Sequence, residues 1–330
     1  MQDHSNYDYT VLIMPGAYAS SVSLTLDILA AAARMAKNLH IAIPRWRIYS
    51  SVKTPTLLSS GLSISAKALP RQWRPDTSTW IIPGLGLDNP KSIPQRLAQP
   101  DALLAIRALR AHARHGGSIA ASCSAVFLLQ AADLLATHKV TTSWWLAGLL
   151  SQLEPRCIVD ANRLVIADKT IITAGAALAQ TDMMLHLLRH QSGTTLADAV
   201  SRVLLIDGRQ AQSPFIIPAL MSNGNELIGA LTTRIESSLP APPSVADLAA
   251  EFCMSERTLA RHVRTSTGRS TLDLVQSVRF GRARQLLETS RLTIEQIAER
   301  VGYNDSTAFR RMMKKFSGAT PSTFRPAAYE

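Results

Sequence analysis

Cysteine is scarce here: three residues in a chain of 330, at Cys123, Cys157 and Cys253. They are too scattered for a disulfide framework, and none stands in a Cys/His spacing that would hold zinc, so neither metal nor cofactor is expected. Long apolar runs are missing too. No run approaches the roughly 18 residues that a membrane-spanning helix needs. The opening "MQDHSNYDYTVLIMPG" is acidic and polar before a short apolar stretch, which does not read as a secretory signal. A cytoplasmic protein that meets no membrane is the expectation. Disorder is excluded by a composition that is 46% hydrophobic and only 18% charged.

What is abundant is positive charge. The net charge is +11, a balance that attracts polyanions, nucleic acid first. The excess is spread along the chain: residues 241–330 hold 14 Lys/Arg against 9 Asp/Glu. Charge alone therefore does not locate a nucleic-acid surface, and pattern must.

The length suggests about two domains. Within a first domain read over residues 1–205, residues 9–190 alternate β-rich runs ("YTVLIMPG", "RWRIYSSV", "STWIIPGLG", "GGSIAASC", "KVTTSW", "RLVIADKTIITAG") with helical stretches. That alternation predicts βαβ units, a mostly parallel sheet with helices on both faces, and ligands at the carboxyl ends of its strands. The prolines of "SSLPAPPSVADL" cannot continue a helix, and residues 206–243 read as a linker. Residues 244–330 read as all-helical.

This last part contains a repeat. "SVADLAAEFCMSERTLARHVRTSTG" matches "TIEQIAERVGYNDSTAFRRMMKKFSG", with Leu259, Arg261 and Gly268 aligned to Phe309, Arg311 and Gly318 at 50 positions. Leu248 and Ala249 align with Ile297 and Ala298 at 49, so the second turn is one residue longer. Each copy reads as a helix, a turn and a second helix, capped by Ser255 or by Asn304-Asp305. A longer helix, "TLDLVQSVRFGRARQLLETS", joins them. A recognition helix presents polar and basic side chains to base edges and phosphates. Ser255, Glu256, Arg257, Thr258, Ala260, Arg261 and Arg264 would do so in the first copy. Ser306, Thr307, Arg310, Arg311 and Lys314 would do so in the second. Leu259, Val263, Phe309 and Met313 recur at helical spacing and should be core.

The segment from Ser244 to Arg325 resembles the DNA-binding domain of AraC/XylS-type transcription regulators, through this repeat, its joining helix and the closing "GATPSTFR". The resemblance implies a regulator, usually an activator, that binds promoter half-sites in double-stranded DNA and contacts RNA polymerase. Residues 9 to about 205 resemble the PfpI-like branch of the class I glutamine amidotransferase superfamily. The version fused to AraC-type domains, called GlxA-like, is the nearest. The motifs are "VLIMPG", "WIIPGLG", "IAASCSAVFLLQAADLL", "KVTTSWW" and "IITAGAALAQTDMMLHLLRHQSG". The implied fold is a flavodoxin-like, doubly wound sheet.

In that superfamily a cysteine at a strand-to-helix turn attacks a carbonyl. Cys123 occupies the place, Gly84 to Gly86 and Ser124 would supply oxyanion amides, and Asp27 matches the acidic residue that faces the cysteine in relatives. Two departures argue against catalysis. Ser124 stands where protease-like relatives put histidine, and Ser143 replaces the histidine that many regulatory relatives carry. No motif places His112, His115 or His138 beside Cys123. A thiol without a positioned base supports acyl transfer poorly. A ligand wall is expected instead, lined by Asp27, Gly84, Leu85, Cys123, Ser124, Trp144 and Ala176. A carboxylate with an aromatic face suits an amino acid or a quaternary amine as effector. Trp144 and Trp145, adjacent on a strand, should face opposite ways. The apolar stripe of helix 176–190 fits a core or a homodimer surface. A cysteine hydrolase and a thiol redox sensor are the alternatives.

Overall fold

A computed structural model describes residues 7–53, 55–70, 76–87, 89–206, 226–317 and 319–325. The chain divides into two compact units, Met1–Leu146 with Leu150–Arg209, and Ala147–Leu149 with Gln210–Glu330.

The first unit opens with β1 (Tyr9–Ile13), α1 (Ala19–Asn38) and β2 (Trp46–Ser50), then a hairpin of β3 (Thr56–Leu57) and β4 (Ser63–Ile64). β5 (Lys67–Ala68), β6 (Thr79–Ile82), α2 (Ile93–Leu97), α3 (Pro100–Arg114), β7 (Ile119–Ser122) and α4 (Val126–Ala131) follow. After them come β8 (Lys139–Val140), α5 (Ala147–Leu153), β9 (Ile158–Val159), β10 (Val165–Asp168), β11 (Ile171–Ala174), α6 (Gln180–Ser192) and α7 (Thr194–Val203).

Seven strands form one sheet in the order β10-β11-β7-β6-β1-β2-β5, parallel except for the β10–β11 hairpin. β1, β6, β7 and β11 are buried along their whole length. Their sequences (YTVLI, TWII, IAAS, IITA) carry no alternating polar face, as a strand covered on both sides requires. α1, α6 and α7 pack on one face around Val11, Ile13, Ile81, Ala120 and Ile172. On the other face Trp80 of β6 stacks on His112 of α3, centroids 5.0 Å apart. The chain leaves β1 toward β2, and later returns to its other side at β6. The crevice between β1 and β6 is thus the point where strand order reverses, the usual ligand position in such sheets.

Two differences from the sequence reading concern single elements. α1 is 20 residues long and holds an 18-residue window with a mean hydropathy of 1.2, so length and composition alone would let it cross a membrane. Its apolar residues instead face the sheet: Val22, Ile28, Leu29, Ala31 and Ala32 are all buried. "KVTTSW" forms a strand only over β8; Thr141 to Ser143 are irregular and Trp144 begins a turn. Trp144 and Trp145 therefore do not diverge, and their rings meet edge to face at 5.2 Å.

The second unit is helical: α8 (Glu226–Ser237), α9 (Val245–Glu251), α10 (Glu256–Thr267), α11 (Thr271–Thr289), α12 (Ile294–Arg300) and α13 (Ser306–Ser317). α8 lies inside the stretch read as linker, and it packs on α11 through a buried face of Ile228, Leu231 and Ile235. Residues 207–225 of that linker, like Gly318 of the repeat, lie outside the described residues.

Candidate functional sites

Cys123 stands where the sequence places it, directly after β7 as the first residue of the 3₁₀ turn Cys123–Ala125 that leads into α4. Its φ is +54°, the left-handed conformation that side chains ordinarily avoid. Such strain is characteristic of a nucleophile turn. The surroundings are not those of a nucleophile. The residue is fully buried, and burial pushes the thiol pKa above its ordinary value. Ser143 Oγ donates to Cys123 Sγ at 3.0 Å, where a catalytic arrangement needs a base. Thr142 Oγ1 donates to the Cys123 carbonyl at 2.7 Å, and the Ala177 amide also points at the thiol.

The glycine turn after β6 closes over this thiol. A Cβ on Gly84 would lie 2.8 Å from Cys123 Cβ, so only glycine fits. Leu85 is buried, and its carbonyl accepts the Ser124 hydroxyl. The turns after β1 and β6 are laced together across the switch point. Tyr18 N–H donates to Gly84 O at 2.9 Å, and Gly86 N–H donates to Gly16 O at 2.7 Å. The Gly86 amide, expected among the oxyanion donors, is spent on that lacing.

Gly84, Leu85, Cys123 and Ser124 are therefore brought together. Ala176 is half-buried beside Ala177, and Trp144 is buried in the turn after Ser143. Asp27 is not part of this set. It is exposed on the outer stripe of α1 with Ser23 and Arg34, because the apolar positions of that helix fix the opposite stripe against the sheet. The inner stripe carries Ser21 and Thr25 instead. Ser21 Oγ donates to Ala177 O at 3.0 Å, Thr25 Oγ1 to Ser21 O at 2.7 Å, and Gln180 Nε2 to Thr25 Oγ1 at 2.7 Å. The sequence reading missed this hydroxyl–amide chain, although polar residues on the apolar stripe of "ASSVSLTL" were a signal for it. Ser122 Oγ and Gln180 Oε1 are buried with no hydrogen-bond partner among the described residues. His112 lies on the far face under Trp80, remote from any role at Cys123.

The second site is the pair of repeated units. α9 and α12 each span 7 residues, and α10 and α13 each span 12. Ser244 with Asp247 and Thr293 with Gln296 form full capping boxes at the starts of α9 and α12. Ser255 accepts from Thr258 N–H at 3.2 Å, and Asp305 accepts from Thr307 and Ala308 N–H at 2.8 and 3.2 Å. Ser255 and Thr258 thus serve the helix start, and Asp305 performs the cap expected of Asn304-Asp305. Leu259, Val263, Phe309 and Met313 are fully buried.

The outward faces carry the charge. Glu256, Arg257, Ala260, Arg261 and Arg264 are exposed on α10, and Thr307, Arg310, Arg311 and Lys314 on α13, with Ser306 half-buried. His262 and Lys315 are also exposed there, and the sequence reading omitted them. Arg310 reaches Glu295 of α12 at 3.4 Å, an exposed pair that a phosphate could displace at little cost.

Comparison with known proteins matches both units. Residues 49–190 match the DJ-1/PfpI family, and residues 248–327 match a helix-turn-helix domain of the AraC type. The chain is 26% identical over 216 residues to the HTH-type transcriptional regulator GbdR of Pseudomonas aeruginosa, covering 64% of this chain and 59% of GbdR. It thus spans about three fifths of that relative's length. It is 23% identical over 321 residues to the HTH-type transcriptional regulator CdhR of the same species, covering 96% of this chain and 91% of CdhR. Among solved structures, a putative transcriptional regulator from Vibrio parahaemolyticus shares the fold of the first unit. Its TM-score is 0.51 at 19% identity, over 61% of this chain and 100% of that one. The chain thus carries a DJ-1/PfpI domain ahead of a helix-turn-helix domain, the order its motifs implied.

Proposed function

We propose that the protein binds promoter DNA through α10 and α13 and regulates transcription in response to a small molecule held near Cys123. One observation carries the reading: two capped recognition helices, each with its apolar side sealed and its basic side open. DNA needs that arrangement, whereas an ordinary helical bundle does not. The test is a footprint of the full-length chain on a duplex it selects from a random pool. Arg257→Ala or Arg310→Ala should weaken binding by about 1–3 kcal/mol wherever the arginine reads a base. Failure to select any duplex sinks the reading.

In this proposal the protein is not an enzyme. It acts in the cytoplasm as a homodimer that activates through RNA polymerase, with the stripe of α6 given to its own core, where Met183 and Leu187 are buried. A sealed thiol with a raised pKa opposes both the hydrolase and the redox-sensor readings, since each needs an accessible thiolate. Support for an effector comes from Ser122 Oγ and Gln180 Oε1, because unsatisfied buried polar atoms are costly and a polar ligand would complete them. The amino-acid or quaternary-amine class has lost its carboxylate with Asp27, and now rests on the aromatic faces of Trp144 and Trp145. Calorimetric titration of amino acids and betaine-like amines with no heat would eliminate that class.

A further inference from the structure

The turn between α12 and α13 is held from two directions. Gly302 adopts a φ of +82°, and a Cβ there would lie 2.1 Å from the Pro240 carbonyl oxygen. From the joining helix α11, Arg279 donates Nε–H to Val301 O at 2.7 Å and Nη2–H to Gly302 O. Its guanidinium lies 3.9 Å from the centroid of the Tyr303 ring. The Tyr303 hydroxyl donates in turn to Gln276, one turn back along α11. One side chain thus takes the two carbonyls just past α12 and the ring that follows them, and fixes both to the helix that joins the two units.

The second unit does not need this clamp to have a core. Phe280, Leu287, Ile297, Phe309, Met313 and Phe316 form a continuous apolar cluster of their own. What the clamp adds is direction. An apolar cluster tolerates small rotations, whereas a rigid guanidinium fork with a stacked ring admits one geometry. Any rotation of the turn moves α13 relative to α11, and so relative to α10.

We propose that Arg279 is a positioning residue that fixes the pose of the second recognition helix and thereby the half-site spacing one chain accepts. It acts through Val301, Gly302 and α13 rather than by touching DNA. The inference rests on the DNA-binding reading above.

The test uses the full-length chain and a duplex it has selected from a random pool, together with versions of that duplex lengthened or shortened by one base pair between half-sites. The wild-type chain should protect both half-sites and lose at least tenfold in affinity on either altered spacing. Arg279→Met should keep protection of the half-site under α10, lose it under α13, and treat the three spacings within about threefold of one another. Arg279→Lys, which keeps charge but not the fork, should fall between them. Intact α10 protection shows within the same lane that the variant is folded. If Arg279→Met does not fold, Tyr303→Leu, which removes the stacking ring and its bond to Gln276 but leaves Arg279 in place, should relax the spacing preference in the same direction. Either variant with wild-type spacing preference overturns the proposal, as does equal loss at both half-sites in a variant that melts at the wild-type temperature. A wild-type chain that selects no duplex overturns the regulator reading itself, and this inference with it.

Discussion

At the scale of single residues, the two faces of the sheet hold opposite kinds of constraint. At the strand ends, Gly84 leaves no room for a methyl group beside Cys123. Gly84→Ala should cost about 1–3 kcal/mol of stability through overpacking, measured by urea unfolding. On the far face, burial holds the His112 imidazole down at about pKa 4. The folded chain keeps it neutral, while the unfolded chain takes up a proton near the ordinary value of about 6.5. Stability from this residue is therefore complete above about pH 6.5 and drains away as pH falls toward 4, by a few kcal/mol. His112→Phe, which can still stack on Trp80, should flatten that slope in unfolding curves taken between pH 7 and 4. Cys123 was legible in the sequence because a small-residue strand running into a helix has few structural solutions. Asp27 was not, because the rotation of α1 is decided by which stripe packs on the sheet, and a family position is a poor guide to that.

At the scale of elements, the two helix-turn-helix turns solve one backbone problem with different residues. Both need a left-handed residue after the first helix, and Gly302 supplies it in the second at φ +82°. In the first, Cys253 stands 49 positions earlier at φ +53°. Cys253→Gly should therefore be neutral or stabilising by up to about 1 kcal/mol, since glycine adopts this conformation freely. Gly302→Ala should destabilise by more than about 1 kcal/mol, because its methyl group would meet Pro240 O. Thermal melts should place Cys253→Gly at or above the wild type and Gly302→Ala below it; a destabilised Cys253→Gly would refute the pair. The repeat, its caps and its core positions were legible because helix periodicity and cap chemistry are local. α8 was not, since the prolines that follow it at "LPAPP" mark where a helix ends without revealing the helix before them.

At the scale of the whole molecule, the net charge of +11 becomes useful only where it is displayed. Six basic side chains (Arg257, Arg261, Arg264, Arg310, Arg311 and Lys314) lie open on two recognition helices. If each neutralises one phosphate, affinity should fall about 10³-fold between 50 and 200 mM salt, as measured by fluorescence anisotropy on the selected duplex. A flat salt response would remove these faces from the interface. The βαβ alternation disclosed the first unit, and the repeat disclosed the second. The hydroxyl–amide chain around Ala177 stayed hidden, because its members come from α1, the turn after β11 and α6, and only the fold brings them together. The unequal turns have a last consequence. Four residues separate α9 from α10 and five separate α12 from α13, so the two units are unequal in turn length as well as in the residues their second helices expose. Under the DNA-binding proposal, two unlike readers give the operator a direction, like an arrow, and inverting that operator beside a gene should change the response.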